Sequence, residues 1–338
     1  MSTKASTTHP PVLARAARDA GRWLSELESG SVTLAVIVVL VVIGVSHPAF
    51  LSPGSLLDVV EQAAFVGIIA AGVAFLLAMR EIDLSVGSIF GVAVVSGALL
   101  IRAGWDPWLA AVGCIVVGAL AGLFNALLVQ GIAIPAIIAT LGTMSMYRGL
   151  AQALTDGEQI VGMPHEHGFF VHIGGELFGI PVGIWTLVAV VALLTVVLRL
   201  TPFGYRVRAI GSNPEAAAHS GISVGRTRVQ ALVLVGALCG VAAVLGLAYF
   251  SSGDPNIGAG FELQAIAATV IGGTPLAGGR ATVVGAAIGA ILLGVVNSGL
   301  VYFDVPLNWS SFATGAVIIA AVSIDAFLRR RRGRAERL

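Results

Sequence analysis

About ten stretches of this chain run close to 20 residues with almost no charge, and that single feature limits the fold more than any other. A helix needs about 20 consecutive apolar residues to cross roughly 30 Å of hydrocarbon. Runs near 32–50, 59–79, 86–101, 108–129, 134–154, 183–200, 229–250, 262–273, 282–302 and 308–328 meet or approach that length. Charged residues make up 11% of the 338, against about 25% in an ordinary soluble domain, and mean hydropathy is +0.95. The solvent for most of this surface is therefore lipid, and the expected fold is an all-α polytopic membrane protein with about ten spans. The runs at 86–101 and 262–273 are short and flanked by glycine, which marks them as tilted, broken or re-entrant.

Basic residues set the orientation. With the N-terminus in the cytoplasm, all but Arg102 and Arg148 of the 19 Lys and Arg residues fall on the cytoplasmic side, so both termini are expected there (N-in/C-in). The expected organisation is a cytoplasmic tail at 1–30, a transmembrane domain at 31–328 and a basic cytoplasmic tail at 329–338. The run from Val32 toward Phe50 follows a polar, Arg-containing start and ends without a small-residue cleavage site, so it reads as a retained span. Near-neutral net charge gives no reason to expect a nucleic-acid partner. Cys114 and Cys239 sit in apolar runs and read as small buried hydrophobes.

An internal echo suggests how the spans are arranged. Val112-Gly113, Gly122, Asn125 and Leu128-Val129 recur at a constant offset of 172 as Val284-Gly285, Gly294, Asn297 and Leu300-Val301. By span count the two copies are the fourth and ninth helices, five crossings apart. They would then run in opposite directions, as in transporters built from two inverted five-helix repeats with the pathway between the halves.

The longest polar stretch inside the body of the chain is 201–228. Within it Asn213 suits a helix N-cap, Pro214 the first helical position and Glu215 the first turn, while Gly221 is a stop. On the residues alone this is either a solvated loop or a small alanine-faced ridge on which another protein docks. Glu215-Ala216-Ala217 followed after three residues by Gly221 resembles the EAA loop of ATP-binding-cassette (ABC) importer permeases. The wider wording, from Gly204 through Gly211-Ser-Asn-Pro-Glu-Ala-Ala to Ser220-Gly-Ile, is similar to the ribose-type branch of that family. Ile82-Asp-Leu-Ser-Val-Gly-Ser88, the stretch from Ile134-Pro135-Ala136 to Tyr147-Arg148-Gly149, and the stretch from Gly258 to Gly278-Gly279-Arg280 agree with it. The hydrophobic-Pro ending of the EAA pattern is absent after Gly221. The resemblance implies the inner-membrane component of a binding-protein-dependent transport system for a monosaccharide or similar small polar solute. It also implies a second permease copy, a cytoplasmic ABC ATPase that uses ATP and Mg, and an extracytoplasmic solute-binding protein. Gly211, Asn213, Glu215, Ala216, Ala217 and Gly221 would then form the coupling element.

The chain is not expected to be an enzyme or to bind a cofactor or metal itself. A Walker A loop needs a lysine on the phosphates, and the sole lysine is Lys4 in the N-terminal tail. The glycine pairs 272–273 and 278–279 read as tight turns or close packing. His165, Glu166, His167 and His172 match no compact zinc spacing, and the loop 155–181 that holds them is expected outside as part of the binding-protein dock. Polar residues at the spans are candidates for the solute pathway: Glu61, Gln62, Ser85, Asn125, Glu262, Gln264 and Asn297. Each also serves as interhelical glue, the plainer role for Asn125 and Asn297. Asp83 suits capping the next helix, and Arg148 suits snorkelling to the outer interface or a gate. The alternative function is an ion-coupled secondary transporter or passive channel using Asp83 or Glu81 as a proton site.

Overall fold

The computed structural model describes residues 30–306 together with Trp309, Phe312, Gly315, Ala316, Ile319 and Ser323. The expected tail before residue 30, most of the span at 308–328 and the tail at 329–338 lie outside the described residues. The chain is a helical membrane protein. Among the described residues the named helices are, in order, α1 (Gly30–Ser46), α2 (Pro53–Ala78), α3 (Val86–Arg102), α4 (Pro107–Gly131), α5 (Ala136–Leu154), α6 (Gly168–Ile173), α7 (Val182–Leu200), α8 (Pro202–Ser212), α9 (Pro214–His219), α10 (Val224–Phe250), α11 (Phe261–Ile271) and α12 (Val283–Tyr302). Five of them, α2, α4, α7, α10 and α12, are long and apolar enough to cross a bilayer, while α1, α3 and α11 are apolar but shorter. Starts are signalled locally. Proline occupies the first turn of α2, α4, α8 and α9, with Ser52, Asp106, Thr201 and Asn213 as side-chain N-caps. Among the described residues the one sheet is a two-stranded hairpin, β1 (Glu176–Leu177) with β2 (Ile180–Pro181), whose turn puts Phe178 and Gly179 at positive φ.

Apolar composition does not say which helices are central, because lipid and protein interior reward the same side chains. Burial does. The apolar window of α2 is 89% buried and that of α7 only 22%, so α2 is the core of the bundle and α7 lies at its periphery. Helix α4 packs along α10, α12 along α2, α3 along α4 and α11 along α12, and α2 also touches α10. Small residues make the tightest crossings. A Cβ on Gly118 would collide with Gly236 O, one on Gly236 with Gly118 O, and one on Gly240 would stand 2.6 Å from Cys114 O. The two small-xxx-small pairs, Gly118/Gly122 on α4 and Gly236/Gly240 on α10, thus meet backbone to backbone. Gly272 meets Gly285 and Gly289 meets Ala268 in the same way where α11 crosses α12.

Helix α2 also serves as a depth gauge. Phe65, at its midpoint, lies 6.4 Å from Phe90 of α3 between ring centroids, and Phe90 lies 5.2 Å from Phe261 at the start of α11. Farther along, Thr269 Oγ1 donates to Ala70 O and Gly279 N to Ala78 O. Helix α11 therefore covers only the second half of α2, and α3 starts beside the middle of α2 and runs the other way. Their N-terminal ends touch: a Cβ on Gly87 would run into Gly258 O and the Glu262 carboxylate. Both short runs begin deep in the bundle; α11, with 11 residues, is a half-length helix, and α3 has 17.

Because the α4–α10 crossing has no room for a side chain, Gly236→Leu is expected to cost about 1–3 kcal/mol or more as the helices separate. Thermal unfolding of the detergent-purified protein checks this, with Gly54→Ala, where nothing lies within 4 Å, remaining at the wild-type midpoint.

Candidate functional site

One end of the bundle carries a polar junction. Arg80, the second residue past α2, donates from Nε to Gly211 O (3.0 Å) and from Nη2 to Ser212 O (3.1 Å). These are carbonyls at the end of α8 that no later helical amide satisfies. Arg80 holds φ +66° to do so, a left-handed conformation that a non-glycine residue keeps only when its surroundings require it. Gly211 is indispensable to the contact, since a Cβ there would fall on Ala78 O and 2.5 Å from Gly279 N. The next residue, Glu81, forms an ion pair with Arg228 in the first turns of α10, and Arg228 Nη1 reaches Gln130 Oε1 at the end of α4 (3.4 Å). Consecutive side chains at the end of the core helix thus hold both flanks of the 201–228 segment, and through them α10 and α4.

Between those flanks projects α9. Asn213 Oδ1 accepts from Ala216 N (3.0 Å), Glu215 stands in the first turn, and Gly221 takes φ +82° just beyond the helix. Ala217 is buried against the bundle, and Glu215, Ala216, Ala218 and His219 face outward. Asn213 is extended (φ −155°) because the following proline disfavours helix at that position, so α8 and α9 stay separate.

A second polar cluster lies where α2 turns into α3. Asp83 Oδ1 accepts from Ser85 N (2.8 Å) and Ser85 Oγ (2.6 Å). Asn125 Nδ2 donates to Ser85 Oγ (2.7 Å), Tyr147 OH donates to Asn125 Oδ1 (3.0 Å), and Leu84 N donates to Thr140 Oγ1 (3.1 Å). Asp83, Ser85, Asn125 and Thr140 are fully buried. The network ties the start of α3 to α4 and α5, so Ser85 and Asn125 belong to a buried brace.

A cavity of about 490 Å³ opens between α2, α10, α11 and α12. It brings together Gln62, Gln264 and Asn297 of the sequence-expected pathway with Ser298 and four rings, Phe65, Phe250, Phe261 and Tyr302. Glu61, one residue from Gln62, turns away toward Gly183 of α7. Glu262 lies on the far side of α11 and bonds back to Gly260 N (3.2 Å). Arg148 does not snorkel. It is half-buried, and its Nη1 donates to Pro255 O (3.0 Å) and Ile257 O (2.8 Å), clamping the loop that leads into α11. Lowered side-chain freedom there is the opposite of a mobile interface arginine.

The loop 155–181 is well organised. It holds α6 and the hairpin, bridges Ile160 to Gly253, and leaves Phe178 89% exposed at the hairpin tip. Among the described residues, no three His, Cys, Asp or Glu side chains gather as a metal site; His172 bonds its own helix and His167 faces Asp106. Cys114 and Cys239 are buried and unbridged. Two features escape the sequence reading. Helix α8 is signalled by Thr201-Pro202, whose cap and first-turn proline match α9's. The clamp by Arg80 has only a weak sign, a lone arginine immediately after a 26-residue apolar helix.

A family model described as the permease component of branched-chain amino acid transport systems matches residues 55–322. The chain is 39% identical to the ribose import permease protein RbsC of Bacillus subtilis over 86% of this chain and 91% of that protein. It is 35% identical to the autoinducer 2 import system permease protein LsrC of Escherichia coli over 88% and 86%. It is 31% identical to the L-arabinose ABC transporter permease protein AraH of Azospirillum brasilense over 98% and 97%. No solved structure matches. Members of the matched family are transport subunits and not enzymes. This chain belongs to that family of bacterial importer permeases, as a multi-pass protein of the inner membrane.

Proposed function

We propose that this chain forms the translocation pathway of an ABC importer for a monosaccharide-like solute and receives its energy through α9. The single observation carrying this reading is the seating of the 201–228 segment: α9 presents Glu215, Ala216, Ala218 and His219 outward while Arg80 and Glu81 grip both its flanks from the end of the core helix. A push on α9 from a cytoplasmic ATPase would reach α2 through charge-assisted hydrogen bonds and the backbone contact of Gly211 with Ala78. ATP and Mg belong to that partner. The expected partners are two ATPase subunits, a second copy of this chain and an extracytoplasmic binding protein that delivers the solute. The exposed Phe178 on its ordered loop supports docking of that protein on the outer face.

The 490 Å³ cavity supports a polyhydroxyl solute. Amides and a hydroxyl supply directional bonds, and aromatic walls suit the apolar faces of a sugar ring. The three relatives named above are permeases for ribose, autoinducer 2 and arabinose import. The contacts between helices also support two inverted repeats under the 172-residue offset. That offset pairs α2 with α10, α3 with α11 and α4 with α12, and the α4–α10 contact then answers the α12–α2 contact, as α3–α4 answers α11–α12. With the N-terminus inside, α9 is cytoplasmic and the cavity faces outward. The ion-coupled alternative gains nothing, since Glu81 is paired with Arg228 and Asp83 closes a buried network.

Loss and rescue both test the proposal. Deleting 213–221 should abolish co-purification of the ATPase while membrane insertion continues, and uptake should fail on ATP depletion yet survive collapse of the proton gradient alone. Arg80→Ala removes two charge-assisted bonds worth about 1.5–3 kcal/mol each. It should lower uptake about tenfold or more while the ATPase still binds and hydrolyses ATP. Reversing Glu81 and Arg228 together (Glu81→Arg with Arg228→Glu) should recover uptake lost in either single variant. Gln264→Leu, which leaves a substrate hydroxyl without its partner, should reduce uptake about tenfold with ATP hydrolysis unchanged.

A further inference from the structure

Helix α11 divides two polar spaces. Behind it, away from the 490 Å³ cavity, lies a chamber of about 330 Å³, open along the exposed face of α5, between α3, α5 and the α11 entry loop, lined by Ser88, Ser145, Arg148, Gln152 and Glu262 among others. Its position is mid-depth, where the N-terminal ends of α3 and α11 meet beside the centre of α2. Its volume sits at the small end of the ~300–1,000 Å³ range of ligand pockets.

Two polar groups here make no hydrogen bond among the described residues, and one of them is a fully buried atom. Ser88 is 2% exposed, and its hydroxyl makes no hydrogen bond, unlike Ser96 farther along α3, which returns its hydroxyl to the Val92 carbonyl. Glu262 Oε2 is the fully buried atom and is unbonded, although Oε1 accepts from Gly260 N. A buried unmade hydrogen bond costs about 1–3 kcal/mol and more for a charged group, so the unbonded Glu262 oxygen calls for a partner. The wall facing them across the chamber is equally informative. Ser145, Gly149 and Gln152 lie on an exposed face of α5, and exposed polar groups at membrane depth line water or protein, not lipid.

We propose that this chamber is a second solute station, at the bilayer midplane, for an uncharged polyhydroxyl molecule. Arg148 and Glu262 offset each other's charge, so a net anion or cation would meet one repulsive neighbour. A hydroxyl-rich neutral molecule finds acceptors in Glu262 and Gln152 and donor-acceptors in Ser88 and Ser145. The two spaces then act in series on either side of α11, and movement of this half-length helix passes solute from one to the other.

The proposal rests on the permease reading for its transport arm, and a chemical arm is independent of it. For the latter, Ser145→Cys in proteoliposomes is treated with a small hydrophilic thiol reagent, with D-ribose as the probe and sodium glutamate as a charged control. Cys114 and Cys239 are buried and serve as the unreactive background. The station predicts that the thiol introduced at position 145 reacts, and that ribose slows its labelling about fivefold or more while glutamate does not. For the transport arm, Ser88→Val and Gln152→Leu in the complete transporter should each lower uptake about tenfold with ATP hydrolysis stimulated as in the wild type. The proposal is overturned if the introduced thiol is inert, as it would be when sealed by lipid or a second copy, or if ribose leaves its rate unchanged. It is also overturned if both chamber variants carry solute at the wild-type rate. Loss of all uptake in the parent transporter, by contrast, would sink the permease reading and leave the labelling result to decide the chamber.

Discussion

A helix that stops inside a bilayer exposes backbone groups to a medium that cannot hydrogen-bond them, and this structure is organised around meeting that demand. Each break in the bundle has a dedicated side chain. At the turn into α3 the amides of Leu84 and Ser85 go to Thr140 and Asp83. At the turn into α11, Arg148 takes the carbonyls of Pro255 and Ile257. Between α11 and α12, Thr282 bonds Gly272 O through its hydroxyl while its amide reaches Thr274. With water absent, each such bond replaces the full cost of an unsatisfied group and not the small net gain of a surface bond. The clamps are therefore what make two helices that begin inside the bundle tolerable at the centre of the protein.

The same clamps explain how a signal at one end could be felt at mid-depth. Gly279 bonds the last carbonyl of α2, Gly211 rests on that same carbonyl, and Arg80 fastens the end of α8. The loop running from Gly279 back to Gly272 is tied by Thr282 and Thr274, and Gly272 closes α11. Displacement of α8–α9 has a short, hydrogen-bonded route to the inner end of α11, whose outer end stands between the two polar spaces. Glycine contacts at the α4–α10 and α11–α12 crossings keep the helices close enough for movement of one to oblige movement of its neighbour, since a packed interface shifts between discrete arrangements and does not stretch.

Much of this is legible in the sequence, and the boundary of legibility is physical. Runs of apolar residues locate helices α1 to α5, α7 and α10 to α12 because hydrocarbon thickness dictates length. Asn213, Pro214 and Gly221 mark α9 because capping is local chemistry. The glycine flanks of 86–101 and 262–273 signal interruption. Rank within the bundle is not legible, since α2 and α7 are both strongly apolar and only three-dimensional contact separates the core helix from a peripheral one. Side-chain direction is also hidden. Glu61 and Gln62 are adjacent, as helix geometry requires, on different faces, and only Gln62 reaches the cavity; Glu262 and Gln264 fall on opposite sides of α11 for the same reason. Arg148 reads as an interface residue because its carbonyl partners lie more than a hundred positions away.

Polar residues in this chain sort into two kinds, and the distinction bears on how a permease can be permeable without being leaky. Asp83, Ser85, Asn125, Thr140, Tyr147 and Thr282 have their hydrogen-bonding capacity taken up by the protein, so they can only hold structure. Gln62, Gln264, Ser88 and Ser145 border empty space and keep capacity in hand. A solute crossing the bundle needs the second kind in sequence, each weak enough to release it, for a tight site at mid-membrane would trap the cargo. Selection then has to occur before entry, and the driving force has to come from outside the pathway. Few free groups along the bundle and a hydrogen-bonded link from its core helix to an exposed short helix are what that division of labour would require.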